Sequence, residues 1–289
     1  MLCLTRTHQG HIDTDTGVLE TSVLERRAGT IGHMTAHVIV ERTGSIARIT
    51  LNKPERRNAL SLELIGELIA AFRHVGATDA RGIVLAANGP VFSAGHDFAD
   101  MAGQDVQSMR NLLHECTTLM TLVQQVPQPV LARVHALATA AGCQLVASCD
   151  MAIAAESASF ALPGGKGGLY CTTPLVAVSK TIGRKRALEM SMTGDPVSAS
   201  VAADWGLINR AVPDDALDEA VDDLMRRSTR GSAFSKSSGK AAFYAHVDLA
   251  QGDAYDHAIE AMAQGAVSHD GQEGIASFME KRPPVWHHH

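Results

Sequence analysis

The amino-acid sequence predicts an α/β fold followed by a helical C-terminal portion. Short apolar runs alternate with segments of helical periodicity between residue 37 and about residue 173. Beyond that point the chain reads almost wholly helical, and the last 60 residues hold three helical stretches and no strand. Gly and Pro punctuate the pattern throughout, as at Gly82, Gly89, Pro127 and Pro129.

The elements follow in order. Residues 1–36 are polar and aperiodic and read as an arm, with Met34 a second candidate start. Alternation through Val38 and Val40, then Ile46 to Leu51, opens the domain with strands. Ser61 is placed to cap a helix in which Ile65, Leu68, Ile69, Phe72 and Val75 recur on one face. Residues 82–88 form a short apolar strand between Gly82 and Gly89. Met109, Leu112, Leu113, Cys116, Leu119 and Val123 mark a second amphipathic helix, which Pro127-Gln128-Pro129 ends. Val130 to Val134 reads as a strand, then a small-residue turn, a short helix from about Gly142, and a buried strand at Met151 to Ala155. Asp195-Pro196 and Val212-Pro213 interrupt the later helices, and Gly206 follows a 198–205 helix as its left-handed stop.

Composition narrows the function classes. The 289 residues are 45% hydrophobic and 19% charged, so the chain can bury a sizeable core. Aromatic residues are only 4%, which leaves Ala, Val, Leu and Ile to fill it. A formal net charge of -6 without a Lys/Arg run argues against nucleic acid, although local cations can still hold a phosphate. No stretch approaches the ~20 apolar residues that span a bilayer, so no membrane partner is expected. The five cysteines are odd in number and lack a CxxC pair, which points to free thiols in a reducing cytosol. Asp13, Asp15, Glu20 and Glu25 argue against a transit peptide, so the expected address is cytoplasmic. His33 and His37 have i, i+4 spacing but precede a strand and lack a third ligand, so no metal site is expected. Gly164-Gly165-Lys166-Gly167-Gly168 is not a phosphate-binding P-loop, and reads as a flexible loop.

Two small-residue turns carry a chemical suggestion. Ser93-Ala94-Gly95 and Ala140-Ala141-Gly142 let a ligand approach the backbone closely, and the second opens a helix whose dipole favours negative charge. Two N–H groups aimed at a thioester oxygen would stabilise the charge that develops there, each contributing about 10²–10³ in rate.

Six segments in order then establish a resemblance: LNKPERRNALS (51–61), PVFSAGHDFADM (90–101), ALATAAGCQLVASCDMAIA (136–154), MTGDPVSA (192–199), WGLINRAVP (205–213) and DGQEGIASFMEKRPP (270–284). The chain resembles the crotonase (enoyl-CoA hydratase/isomerase) superfamily from residue 37 onward. AGHDF, TAAGCQL, GGLYCTTP and the KRPPVW tail look like its enoyl-CoA hydratase domain-containing protein 3 subgroup. The resemblance implies a crotonase-like spiral of ββα units at about 37–230, then a helical oligomerisation region at 231–289 that builds homo-trimers or hexamers. The apolar pairs Phe243 and Val247, Ile259 and Met262, and Ile275 and Phe278 suit burial between subunits.

The resemblance also implies an acyl-CoA or enoyl-CoA ligand in fatty-acid metabolism, with coenzyme A as part of the substrate and no separate cofactor. The oxyanion donors become the amides of His96 and Ala141. The adenine would lie against Ala94, His96 and Phe98, with Asp97 structural, and Arg56, Arg57 and Lys281 near the phosphates. Lys281 would come from a neighbouring subunit. The two glutamates that hold water in hydratases correspond to Gln144 and Gly164. A Gln orients water but does not accept its proton, and a Gly does neither, so weak or absent hydratase activity is expected. His96, Tyr170 and Cys171 are the alternative proton-transfer candidates, with Tyr170 near the acyl chain. The alternative to an enzyme is a non-catalytic acyl-CoA binding or carrier protein.

Overall fold

The computed structural model describes residues 33–35 and 37–288. Its larger sheet has seven strands in the order β1-β2-β3-β4-β5-β7-β10. β1 (His33–Met34), β2 (Val38–Thr43) and β3 (Ile46–Leu51) pair antiparallel. From β3 onward the ladder is parallel through β4 (Gly82–Ala87), β5 (Val130–Val134), β7 (Met151–Ala155) and β10 (Arg210–Val212). A smaller sheet joins β6 (Ala138–Thr139), β8 (Ser159–Ala161) and β9 (Val197–Ser198).

Apolar runs in the parallel strands are continuous because both faces of the sheet are covered. Successive side chains point to opposite faces. Ile83, Leu85, Val130, Ala132, Val134, Ala152 and Ala154 therefore enter the main core, while Val84, Leu131, Ile153 and Ala155 enter a second one. The main core is closed by α1 (Leu62–Gly76) and α2 (Val106–Gln125), the second by α7 (Leu217–Ser228) through Leu217, Val221 and Met225. Ser61 caps α1 by accepting from Leu64 N at 3.2 Å, and Leu64, Ile65, Leu68, Ile69, Phe72 and Val75 form its buried stripe. Asp105 caps α2, which stops at Val126 before Pro127. Between β6 and β7 lies α3 (Ala141–Ser148), buried at every residue because it runs through the middle of the main core.

Four helices continue the chain in and around the core: α4 (Thr172–Ile182), α5 (Arg184–Thr193), α6 (Ala199–Trp205) and then α7. Gly206 stops α6 at φ 90°, the left-handed conformation expected of it. The C-terminal set is α8 (Ala233–His246), α9 (Gln251–Val267) and α10 (His269–Glu280). Lys240 latches α8 to the core. Its Nζ donates to Val123 O at 3.0 Å and Gln128 O at 2.9 Å and pairs with Asp150 Oδ2 at 2.7 Å. Tyr244 Oη donates to Asp150 Oδ1 at 2.8 Å. No helix among the described residues is long and apolar enough to cross a membrane.

Three expectations change. Among the described residues the sheet already includes His33 and Met34, inside the segment read as an arm, which register against Val40 and Ile39. The region after residue 173 is not purely helical, since β9 and β10 lie within it and β10 extends the main sheet beside β7. Residues 163–167, overlapping the stretch read as a flexible loop, form a 3-10 turn in which Lys166 pairs with Asp195.

Candidate functional site

Two turns meet at the C-terminal ends of β4 and β5. The first follows β4, and Asn58 ties it down from a neighbouring loop. Fully buried Asn58 donates from Nδ2 to Asn88 O at 2.8 Å, Val91 O at 3.1 Å and Phe92 O at 3.2 Å. Its own carbonyl accepts from Ser93 Oγ at 2.8 Å. Leu60 N donates to Gly95 O at 2.7 Å and Asp97 N to Leu60 O at 3.2 Å, so the turn is laced to residues 58–60. The second turn follows β5, where Thr139 N donates to Ser93 O at 3.0 Å.

Glycines let these turns touch. A Cβ on Gly95 would sit 2.8 Å from Ala140 Cβ and 3.3 Å from Ala141 N. A Cβ on Gly142 would sit 2.6 Å from Ser93 O. Ala140 itself holds φ 51° and ψ -119°, a conformation that ordinarily falls to glycine, and it opens α3 without a side-chain cap. Among the described residues the amides of His96 and Ala141 donate to no protein acceptor. The structure thus brings Ala94, His96 and Ala141 onto adjoining turns, with two unspent N–H groups between them.

The other expected residues divide. Asp97 is 8% exposed and caps the 98–100 turn by accepting from Ala99 N at 3.0 Å. That bond, with help from Arg56, holds its carboxyl below the usual range. Arg56 Nη2 donates to both Asp97 oxygens, at 2.9 and 3.1 Å, while the side chain stays half exposed. Arg57 sits in a left-handed turn at φ 53° with its side chain exposed, and Phe98 is exposed as well. Lys281 ends α10 at φ 55°, on an element that packs against α8 and α9 rather than against either turn.

Gln144 lies one helical turn into α3 and is 5% exposed, with no protein partner for its Oε1. The His96 Nε2 is likewise buried without a partner, and burial pushes that imidazole toward its neutral form. Tyr170 Oη bonds Ser191 Oγ at 2.6 Å, which occupies the phenol. Cys171 Sγ accepts from Gly164 N at 3.3 Å, and burial pushes its thiol up, as it does those of Cys116, Cys143 and Cys149. Gly164 has no room for a side chain. A Cβ there would lie 2.0 Å from Leu169 O and 2.7 Å from Cys171 Sγ.

Sequence reasoning missed Asn58, although Asn is a residue that tolerates left-handed backbone and Asn58 adopts φ 49°. It also missed partners for His37. Ligand atoms of His37, Glu63 and Glu67 lie within 4.8 Å of one another, gathered by the packing of α1 on β2. Lys53 Nζ stands 3.3 Å from Glu63 Oε2, so this cluster carries its own cation.

The family description "Enoyl-CoA hydratase/isomerase" matches residues 41–289. The chain is 40% identical over 270 residues to enoyl-CoA hydratase domain-containing protein 3, mitochondrial, of Danio rerio, covering 91% of this chain and 92% of that one. A crystal structure of an enoyl-CoA hydratase from Mycobacterium smegmatis superposes with a TM-score of 0.85 at 39% identity, covering 88% of this chain and all of that one (100%). That of human enoyl coenzyme A hydratase domain-containing protein 3 gives 0.83 at 40% identity, covering 86% and 99%.

These relatives correct the cytoplasmic expectation. The Danio rerio protein is named as mitochondrial, as are its counterparts from rat, mouse, Xenopus and human. Free thiols indicate a reducing compartment, and the cytosol is not the only one. The acids weighed against a transit peptide lie outside the described residues. With its mixed sheets, its C-terminal helices and a family match over most of its length, the chain has the α/β crotonase fold and belongs to the enoyl-CoA hydratase/isomerase family.

Proposed function

We propose that this chain binds acyl-CoA thioesters with the carbonyl oxygen between the amides of His96 and Ala141, and that it hydrates enoyl-CoA poorly or not at all. One observation carries the reading. Two turns in contact through Gly95 and Gly142 leave two backbone donors unspent, one of them at the N-terminus of α3. Such donors are pre-aligned for an oxyanion and need no reorganisation during reaction. Ala94 and Phe98 line the adenine end and Arg57 is the phosphate cation. Arg56 acts through Asp97 rather than on the ligand. Tyr170 walls the acyl end, and Lys281 reaches the phosphates from a neighbouring copy in a trimer or hexamer.

Slow hydration follows from Gln144 and Gly164, neither of which accepts a proton from water. Each missing acid–base group lowers the rate by about 10²–10⁴. A carrier role competes with catalysis here, favoured by the shut space at Gly164 and the raised Cys171 thiol. Two measurements on the full chain test the proposal. Free CoA and several acyl-CoAs should raise the melting temperature by mass action, and Gly142→Val should abolish that rise. Crotonyl-CoA should be hydrated far more slowly than by a two-glutamate hydratase. No thermal shift with any acyl-CoA defeats the binding reading, and brisk hydration by repurified protein defeats the second half.

A further inference from the structure

The His96 N–H takes its direction from bonds made by its neighbours. In a trans peptide the carbonyl and the following N–H point opposite ways, and no cis peptide occurs among the described residues. Gly95 O accepts from Leu60 N at 2.7 Å, so the His96 N–H on the same peptide points away from residues 58–60. Asp97 N donates to Leu60 O at 3.2 Å and pins the next peptide as well. His96 is thus bridged to Leu60 as in a parallel ladder, with its own N–H on the free side.

The segment that carries Leu60 is fixed in turn at Asn58. Its Nδ2 serves the carbonyls of Asn88, Val91 and Phe92, and its Oδ1 accepts from Lys53 N at 2.9 Å. Asn58 N closes the same loop by donating to Lys53 O at 3.0 Å, and Ala94 N donates to Arg57 O at 3.0 Å. Ser93 then joins this segment to both turns. Its Oγ donates to Asn58 O at 2.8 Å and accepts from Gly95 N at 3.3 Å, while its carbonyl accepts from Thr139 N at 3.0 Å. A Cβ on Gly142 would meet Ser93 Cβ at 2.7 Å and Oγ at 2.9 Å. Gly95 precedes one donor and Gly142 follows the other, so one serine touches the neighbours of both.

We infer that Asn58 and Ser93 are positioning residues that set the direction and spacing of the two donor amides. Both are fully buried, so they act through those amides rather than on the ligand. Together they decide how strongly a bound carbonyl is polarised. The inference rests on the reading of His96 and Ala141 as the donors. Without its hydroxyl, Ser93 leaves Asn58 O and Gly95 N short of a buried partner, a cost that the two turns relieve only by shifting.

Titration of the full-length chain with hexanoyl-CoA and with S-hexyl-CoA, a thioether that lacks the carbonyl, tests this. Hexanoyl-CoA labelled with carbon-13 at the carbonyl adds an infrared reading of the bound C=O stretch, which falls as donors polarise it. The unaltered chain should prefer the thioester on the order of tenfold and lower that stretch. Ser93→Ala should lose most of the preference and most of the infrared shift, with S-hexyl-CoA affinity unchanged. Asn58→Ala removes more bonds and should abolish both; should it fail to fold, Ser93→Ala decides alone. Ser61→Ala removes another buried hydroxyl from the same segment, one that caps α1 instead, and should lower stability while leaving both readings intact. An unaltered chain that neither binds hexanoyl-CoA nor shifts its carbonyl defeats the site reading itself. A preference and shift that survive Ser93→Ala, or that fall equally in Ser61→Ala, overturn the positioning role alone.

Discussion

The spiral core and the three C-terminal helices are built from similar residues and buried very differently. In the core, β4, β5 and β7 are covered on both faces and α3 is buried at every position. In α8 and α9 no residue is buried, and α10 buries only Asp270 and Ser277. Their large apolar side chains face outward, Phe278 at 84% exposure and Met262 at 79%. Large contiguous apolar faces of this kind commonly mark binding surfaces. The contrast teaches that the core buries its apolar residues within one chain, whereas the last helices are tied to it mainly through polar bonds such as the Lys240 latch and the Lys180–Asp248 pair. A neighbouring copy is the occupant proposed above.

Four measurements break or sharpen this contrast, in order of expected size. Deleting residues after about 231 should leave a smaller species by light scattering, or an insoluble one, because α2 and β5 lose their latch and the assembly loses its contacts. A truncated chain that keeps the full-length mass would refute the division. Next, Phe72→Ala should cost about 3–5 kcal/mol in denaturant unfolding, the usual toll of emptying a fully buried aromatic site. Lys240→Met leaves Asp150 with its charge half-buried and one partner fewer, and should cost about 3 kcal/mol. Faster amide exchange in α8 than in α1 is its signature. Smallest of all, Phe278→Ala should change the unfolding free energy of a dissociated chain by less than about 0.5 kcal/mol, yet lower the assembled mass. Equal destabilisation by Phe72→Ala and Phe278→Ala at low concentration would erase the distinction.

The sequence legibly encoded whatever depends on local pattern. Ser61, the α1 stripe, the Pro127 stop and Gly206 each act through neighbours a few residues away, so periodicity and cap chemistry expose them. Strand β10 has only three residues and exists because Arg210 registers with Ile153 across the fold, which no local signal announces. The same holds for β1 and for the two-residue β6 and β9. At the candidate site, Ser93 to Gly95 and Ala140 to Gly142 were visible as small-residue runs. Their mutual contact was not, nor was Asn58 binding three carbonyls some 30 residues away. Arg56 showed its charge in the sequence but not Asp97 as its partner. Compartment was misread because thiol state and charge do not name an organelle.

The packing behind Gly164 also has a consequence for substitution. Leu169 O and Cys171 Sγ occupy the space that the first carbon of any side chain at 164 would need. Backbone oxygen does not swing aside as a long side chain does, so a larger residue there requires the 164–171 segment to be rebuilt. An acidic residue at this position is therefore more than one substitution away. Gly164 is thus a position where a single exchange does not suffice, because the neighbouring backbone must move with it.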